Sequence, residues 1–169
     1  MTVSEAVKTR RSIRKFKKEG TVTDTQVRVL LESAMMAPSA CNTRPWEFIV
    51  VRDRKKLDKI REAHQYTQML ETASLAIVVM ALPGVQTKAI DMGYYPQDCG
   101  AATQNILLQA VELGLGTCWC GVYPKEERMA DVCNALGVEG TPFCVIAVGV
   151  PDEAPEARGF FEERKVRYF

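Results

Sequence analysis

Four continuous apolar runs divide the chain, and segments with helical spacing of polar and apolar residues lie between them. The runs are WEFIVV (46–51), LAIVVMAL (75–82), TCWCGV (117–122) and FCVIAVGV (143–150), and Pro83-Gly84 should end the second. Runs of this kind are typical of strands buried on both faces. We therefore predict four buried strands in a sheet that helices cover on both sides, in an α+β or α/β fold.

Helical periodicity and capping signals predict five helices around these strands. Thr23 and Gln26 have the spacing of a capping box, in which each residue satisfies the backbone N–H of the other. Asp53 can cap a charged helix that runs to His64, and Pro124 suits the first turn of a later helix. The predicted ranges are 3–9, 24–37 (ending at Pro38), 54–64, 96–113 and 124–136, with Gly114 and Gly116 ending the fourth.

The helix predicted at 96–113 has apolar residues around most of its circumference. Such a helix has to be buried nearly all round, in a domain centre or between subunits, and in so small a protein we expect a subunit interface. The segment 151–169 has no periodicity but contains four aromatic residues. We predict a single domain over 1–169 whose arm, 151–169, packs along the body or on a partner subunit.

Composition narrows the class of protein. A chain of 169 residues that is 47% hydrophobic suits one compact domain, and its net charge of +1 disfavours a general nucleic-acid-binding protein. The N-terminus lacks the apolar core of a signal peptide, and no apolar run approaches the ~20 residues of a membrane helix, so we predict a cytoplasmic protein. The cysteines are expected to be mostly reduced core thiols; they are Cys41, Cys99, Cys118, Cys120, Cys133 and Cys144.

Several kinds of catalytic site are disfavoured by the sequence. It contains neither a G-x-G-x-x-G motif nor a Walker loop, and its only histidine, His64, has no metal-spaced partners. We predict that His64 is a surface residue of a charged helix. A nucleophilic triad would need that histidine, so the protein is expected to take its reactivity from a cofactor.

The segment KTRRSIRKFKK (8–18) concentrates positive charge. In an extended chain Arg10, Ser12 and Arg14 would project from one face, where two guanidinium groups and a hydroxyl could surround a phosphate. Surface salt bridges or nucleic-acid binding would explain the segment alone equally well. The lysines Lys15, Lys17 and Lys18 are expected to be ordinary solvated charges.

Four motifs in order carry a family resemblance. They are RRSIRKF (10–16), PSACNTRPWEF (38–48), GLGTCWCG (114–121) after a helix with a Gln-Asn pair, and a basic, aromatic C-terminus. In this order the chain resembles the FMN-dependent nitroreductase family, in particular its short members. The resemblance implies an α+β fold with a central, mainly antiparallel sheet flanked by helices. It also implies a homodimer that binds two FMN molecules at the subunit interface.

The resemblance assigns the first part of the basic segment to FMN. Arg10, Arg11, Ser12 and Arg14 would hold the cofactor, with arginines at the phosphate and ribityl end and one cation near the N1–C2=O edge of the ring. Reduction places negative charge on that edge, which a fixed cation stabilises. Arg164 or Lys165 would complete the phosphate site.

The second motif would come from the opposite subunit. Pro38, Ser39 and Ala40 would lie along the flavin and ribityl, while Asn42 would meet the pyrimidine side, where an amide can both donate and accept. Without the family context, an ordinary turn residue before Pro45 is the favoured interpretation of Asn42. Arg44 stands where the family usually has Gln, which adds a positive charge near the site.

The third motif would run beside the flavin ring. A backbone N–H near Gly121 would donate to flavin N5, next to Cys120. Tyr94, Tyr95 and Trp119 are candidate walls for aromatic substrates, although core packing explains them as well. A redox-active pair of Cys118 and Cys120 is disfavoured, because neighbours two apart on a strand are poorly placed for a disulfide.

The implied activity is transfer of hydride from NAD(P)H to FMN and then, by a ping-pong mechanism, to a nitroaromatic, quinone or similar acceptor. The flavin performs the redox step, so we nominate no catalytic side chain. The alternatives are a dehalogenase or dehydrogenase of the same fold, and a flavin-binding protein without catalysis. A nucleic-acid-binding module is disfavoured by the charge balance.

Overall fold

The computed structural model describes residues 1–82 and 93–169, which form a four-stranded sheet with helices on both faces. The strands are β1 (Trp46–Val51), β2 (Leu75–Ala81), β3 (Gly116–Gly121) and β4 (Thr141–Gly149). Their order across the sheet is β1-β2-β4-β3, and each neighbouring pair is antiparallel. The α+β prediction with an antiparallel sheet is therefore confirmed.

The helices begin near the predicted caps. Thr23 and Gln26 form the capping box, and the carboxylate of Asp53 accepts a hydrogen bond of 2.9 Å from the backbone N–H of Lys56. The α-helices are α1 (Val3–Thr9), α2 (Asp24–Met35), α3 (Arg54–Ala63), α4 (Tyr95–Glu112) and α5 (Glu126–Leu136). Short 3-10 helices cover Ala40–Asn42, Gln65–Glu71 and Glu163–Lys165.

Several predicted details are wrong. Helix α2 ends at Met35, before Pro38, while Pro124 precedes α5 by two residues and does not belong to its first turn. Strand β1 is only half-buried, because it is an edge strand of the sheet that pairs with β2 alone and exposes Glu47. Gly116 begins β3 instead of ending the preceding helix. The predicted break at Pro83-Gly84 lies outside the described residues.

Alternate residues of the central strands fill two cores. Leu75, Ile77 and Val79 of β2 face α2 and α4, whereas Ala76 and Val78 face α3 and α5. Every residue of β2 is buried. A continuous apolar strand is therefore covered on both faces, as its composition requires.

Helix α4 is covered by its own chain on one side only. Ala102, Ile106 and Ala110 are buried, whereas Leu108 and Val111 remain half-exposed. The prediction of burial nearly all round is not met within one chain. Coverage of the remaining apolar face by a second subunit stays a prediction.

The basic segment lies along the outer edge of β3. The backbone N–H of Ile13 donates to the carbonyl of Thr117 at 2.9 Å, and Phe16 forms a bridge with Pro151. Gly116 permits this approach, since a Cβ added there would lie 2.9 Å from Ile13. The segment is therefore extended at residues 12–16, which is the condition under which alternate side chains share a face.

The arm 151–169 leaves the body soon after it begins. Asp152 donates its backbone N–H to Lys15, after which the chain is mostly exposed. The exposed fractions of Phe160, Phe161 and Tyr168 are 83%, 74% and 84%. The body of the same subunit does not bury these aromatic side chains, so packing on a partner stays the prediction for them.

Candidate functional site

An open cleft of about 580 Å³ separates the outer edge of β3 from the 3-10 helix 65–71. It adjoins a second cleft of about 630 Å³, and Arg14, Gln68 and Met69 line both. The first cleft is lined by Arg14, Gln65, Tyr66, Gln68, Met69, Cys118, Trp119, Cys120, Gly121 and Arg128. Four residues predicted for the site, Arg14, Trp119, Cys120 and Gly121, therefore line one cleft.

The edge of β3 presents backbone groups to this cleft. Val122 donates its N–H to Phe143 of β4 at 3.1 Å. In the same antiparallel register the backbone N–H and C=O groups of Cys120 also point to β4. Backbone groups alternate in direction along a strand, so those of Trp119 and Gly121 point to the open edge. The edge therefore offers hydrogen-bond donors to a ligand in the cleft.

Glu153 binds the backbone of the basic segment where its pairing with β3 ends, and the rest of the β3 edge is left open. Its carboxylate accepts the backbone N–H groups of Arg14 at 2.5 Å and of Lys15 at 3.1 Å. These N–H groups are thereby directed away from β3, and pairing of the basic segment with the strand stops after Ile13. The Arg14 side chain remains exposed in the cleft.

The space beside Gly121 fits a flat ring system such as that of FMN. A Cβ added at Gly121 would meet no atom within 4 Å, although the residue lies in a strand. The open space adjoins an outward-pointing N–H, and Arg14 supplies a cation to the same cleft. The donor, the cation and the room that the resemblance implies for FMN are thus present together.

The two thiols of β3 differ in acidity. The neighbouring Cys120 thiol, together with the charge of Arg14 and the Ser12 hydroxyl, lowers the pKa of Cys118 to about 7, although burial opposes this shift. Cys118 and burial raise the pKa of Cys120, whose thiol donates to the carbonyl of Tyr66 at 3.1 Å. All six cysteines are free, and four of them are buried, so most lie in the core as predicted; their reduced state in the cell stays a prediction.

His64 is buried, and the prediction of a surface residue is wrong. Only 1% of its surface is exposed. Helix α3 ends at Ala63, so His64 turns inward and caps the 3-10 helix: its Nδ1 accepts the backbone N–H of Tyr66 at 3.2 Å. The proton is therefore on Nε2, which donates to the carbonyl of Gly121 at 2.9 Å. Burial lowers the pKa of the ring.

The wall of the cleft opposite β3 was not predicted from the sequence. Gln65, Tyr66, Gln68 and Met69 belong to a short 3-10 helix without a helical apolar period. Arg128, from α5, lies 5.6 Å from the centre of the Tyr66 ring and donates to the carbonyl of Gly121 at 3.1 Å. The cluster of polar and aromatic residues at 64–68 is the one local signal for this wall.

The side chains of the basic segment point into different clefts. Arg11 lines a separate cleft of about 270 Å³ with Ile13 and the start of the arm, and donates to the carbonyl of Arg158 at 3.4 Å. Arg10 ends α1 and is half-buried, and Ser12 adjoins Cys118. Arg11 therefore points away from the cleft that Arg14 lines.

The loop 38–44 is held at the start of α4 and does not line the cleft around Gly121. The backbone N–H of Ala40 donates to Asp98 at 3.0 Å, and the hydroxyl of Ser39 accepts the backbone N–H of Arg44 at 2.9 Å. Asn42 and Arg44 have left-handed backbones, with φ of 53° and 51°. Pro38, Asn42 and Arg44 are exposed, which leaves them open to a ligand of another subunit.

The other predicted residues lie apart from the cleft. Tyr95 packs edge-on against Tyr123 with 5.5 Å between ring centres, and Tyr94 is partly exposed at the start of α4. Arg164 and Lys165 both pair with Glu162 in the exposed arm. Within one chain these four residues do not complete the site.

Neither residues 1–82 nor 93–169 contain a helix with the length and apolarity needed to cross a membrane.

Comparison with known proteins assigns the chain to a family. A model described as the nitroreductase family matches residues 7–67 and 64–150. A protein of Methanothermobacter thermautotrophicus, provisionally named NADH dehydrogenase/NAD(P)H nitroreductase, is 42% identical over 168 residues, which are 98% of this chain and 86% of the relative.

Solved structures agree in fold along the whole chain. An FMN-dependent nitroreductase of Clostridium difficile matches with a TM-score of 0.84 and 32% identity, covering 96% of both chains. A provisionally named nitroreductase of Desulfovibrio desulfuricans, solved in complex with FMN, matches with a TM-score of 0.86 and 27% identity, covering 100% of this chain and 97% of the other. The resemblance inferred from the motifs is confirmed: the chain belongs to the nitroreductase family.

Proposed function

We propose that this chain is an FMN-dependent oxidoreductase that takes hydride from NAD(P)H and reduces nitroaromatic, quinone or similar electron-poor acceptors by a ping-pong mechanism. The open edge of β3 carries the proposal. It combines an outward N–H at Gly121, free space beside that residue and the cation of Arg14 in one cleft. The named relatives, which include NAD(P)H nitroreductases and FMN-dependent enzymes, support the same chemistry.

The residues of the cleft would bind FMN and polarise it. Arg14 would stabilise the negative charge of the reduced ring, and the N–H of Gly121 would donate to the ring edge. Arg10 and Ser12 would bind toward the phosphate. FMN, when bound, supplies the two-electron chemistry that accepts hydride from the nicotinamide and delivers it to the acceptor.

The remaining residues of the site would come from a second subunit. The exposed loop with Pro38, Ser39, Ala40 and Asn42 does not reach the cleft of its own chain, and neither does the arm with Arg164 and Lys165. A homodimer would bring these segments to the partner's cofactor. Arg44 and Trp119 would then border the space for the acceptor, and a cytoplasmic location stays a prediction.

A ping-pong mechanism suits the chemistry of the cleft. Among the described residues, the lining of the cleft around Gly121 includes no carboxylate, and its ionisable groups are two arginines, a tyrosine and two cysteines. The side chains would therefore orient the ring and exclude water, and would not act as an acid or base on the substrate. The donor and the acceptor would occupy the same space in turn.

Spectroscopy and kinetics test the proposal together. The purified protein is expected to show the absorption of oxidised flavin, to bleach rapidly with NADH or NADPH, and to give parallel double-reciprocal plots with a quinone. Arg14→Ala should raise the Kd of FMN by about tenfold, whereas Lys17→Ala, which removes an exposed cation outside both clefts, should leave it unchanged.

Three results would contradict the proposal. Protein that binds no FMN would refute the cofactor assignment. Flavin that is reduced only slowly by both nucleotides would indicate a binding protein without this activity. Equal loss of FMN in the Arg14 and Lys17 variants would refute the role of Arg14.

A further inference from the structure

His64 connects the two walls of the cleft through both of its ring nitrogens. Nε2 donates to the carbonyl of Gly121 at 2.9 Å, at the end of β3. Nδ1 accepts the backbone N–H of Tyr66 at 3.2 Å, at the start of the opposite wall. The ring is buried and lines neither cleft, so it acts on the site through these two neighbours.

The bond to Gly121 orients the donor that faces the ligand. The N–H and C=O groups of one residue in a strand point to the same side, so holding the carbonyl of Gly121 also sets the direction of its N–H. Gly121 has no side chain to hold it, and β4 does not bond to it on this side. Its carbonyl accepts from His64 and Arg128, which lie outside the sheet.

The bond to Tyr66 sets the position of the other wall. Tyr66 carries the aromatic ring over which Arg128 lies, and its carbonyl accepts from the thiol of Cys120 at 3.1 Å. His64 therefore belongs to a closed set of contacts that joins β3, the 3-10 helix 65–71 and α5. A change at His64 would alter the width of the cleft and the direction of the Gly121 N–H together.

We propose that His64 is a positioning residue of the cofactor site: it fixes the end of β3 so that the N–H of Gly121 faces the flavin, and it holds the Tyr66 wall at the matching distance. The inference rests on the proposed function for the identity of the ligand. The contacts of His64 with Gly121 and Tyr66 are independent of that function.

Three variants separate this role from ordinary stability. His64→Leu keeps much of the volume and removes both ring hydrogen bonds, whereas His64→Gln retains a donor near the position of Nε2. Thr67→Val is the matched structural control. It removes a buried hydroxyl that donates to the carbonyls of Ile60 and His64 without touching Gly121.

Amide hydrogen exchange and FMN titration are measured on each variant. His64→Leu should speed exchange at residues 121–123 and raise the Kd of FMN by about tenfold, with an altered visible circular dichroism of the bound flavin. His64→Gln should stay within about threefold of the wild-type Kd, because it retains the donor. Thr67→Val should lower the Tm while leaving the Kd and the flavin spectrum unchanged.

The outcomes distinguish the two proposals. Wild-type protein that binds no FMN refutes the proposed function, and the exchange measurement at 121–123 still decides the role of His64. FMN binding by His64→Leu at wild-type affinity refutes the positioning role, as does an equal loss in Thr67→Val. Should His64→Leu fail to fold, His64→Asn, which retains only an acceptor near Nδ1, takes its place.

Discussion

Single residues decide the electrostatics around the Gly121 carbonyl. Burial lowers the pKa of His64, and the nearby positive charge of Arg128 lowers it further. A neutral ring can accept from Tyr66 and donate to Gly121 at the same time, whereas a doubly protonated ring loses the acceptor. The hydrogen bonds at this point therefore depend on an uncharged His64.

The free energy of unfolding should fall as the pH drops below about 6.5, in part because of His64. Its pKa is lower in the folded state, so in this range the unfolded chain binds a proton that the folded chain does not, and acid favours unfolding. Within residues 1–82 and 93–169, the charged or ionisable groups that act on the ring are Arg128 of α5 and Tyr66 of the 3-10 helix, whereas Cys120 of β3 contacts the Tyr66 carbonyl.

Denaturant unfolding of the wild type and of His64→Gln at pH 7.5 and 5.5 measures this effect. The variant should lose less stability between the two values, since glutamine does not titrate. An equal loss in both proteins would assign the acid sensitivity to carboxylates elsewhere in the chain.

At the scale of elements, the outer edge of β3 has two parts: one pairs with the basic segment, and the other borders the cleft. Its beginning pairs with the basic segment through Thr117, and its end presents Trp119 and Gly121 to the cleft. Gly116 and Gly121, at the two ends of β3, have surroundings that differ in the same way. A Cβ at Gly116 would lie 2.9 Å from Ile13, whereas a Cβ at Gly121 would meet nothing within 4 Å.

A Gly→Ala substitution should therefore affect stability at the beginning of β3 and cofactor binding at its end. Gly116→Ala should lower the free energy of unfolding by about 1–3 kcal/mol, because it forces the basic segment off the strand. Gly121→Ala should change it by less than about 0.5 kcal/mol and yet weaken FMN binding by at least about fivefold, because the methyl group enters the proposed ring site.

Urea denaturation and FMN titration of both variants provide the measurement. Normal FMN binding by Gly121→Ala would show that the cofactor does not occupy the space beside this residue. A Gly116→Ala protein as stable as the wild type would mean that Ile13 moves aside at little cost.

At the scale of the whole molecule, apolar surface in the part of the chain that the structure describes stays uncovered along α4 and in the arm. Half of α4 remains partly exposed, and the arm carries Phe160, Phe161, Tyr168 and Phe169 almost fully in solvent. Exposed apolar patches of this kind mark interaction surfaces. The predicted site residues that do not line the cleft of their own chain include those of the arm and of the loop 38–44, besides Arg11, Tyr94 and Tyr95.

If the arm packs on the partner subunit, the stability of the dimer should depend on the aromatic residues of the arm. The variant with both Phe160→Ser and Phe161→Ser should raise the dimer dissociation constant by at least about tenfold, because buried aromatic side chains contribute strongly to interfaces. Glu156→Ser in the same arm is the control. Sedimentation at several concentrations measures the constant, and a wild-type protein that is monomeric throughout would refute the shared site.

Local interactions in the sequence were sufficient to predict most elements and the family. The capping box at Thr23, the cap at Asp53 and the apolar runs of β2 and β4 depend on neighbours within a few residues, so they can be read without the fold. The order of the motifs predicted the nitroreductase family in the same way.

Contacts between distant residues decided the rest of the site. His64 and Gly121 are 57 positions apart, and the burial of His64 follows from the early end of α3 and from the position of β3. The outward direction of the Gly121 N–H follows from the register with β4, and the wall of Tyr66 and Arg128 follows from packing of α5. The sequence by itself determined the elements and the family, because short-range periodicity and motifs encode them. Only the tertiary structure decided which backbone donors and side chains meet in the cleft, because strand register and helix packing join residues that no local pattern connects.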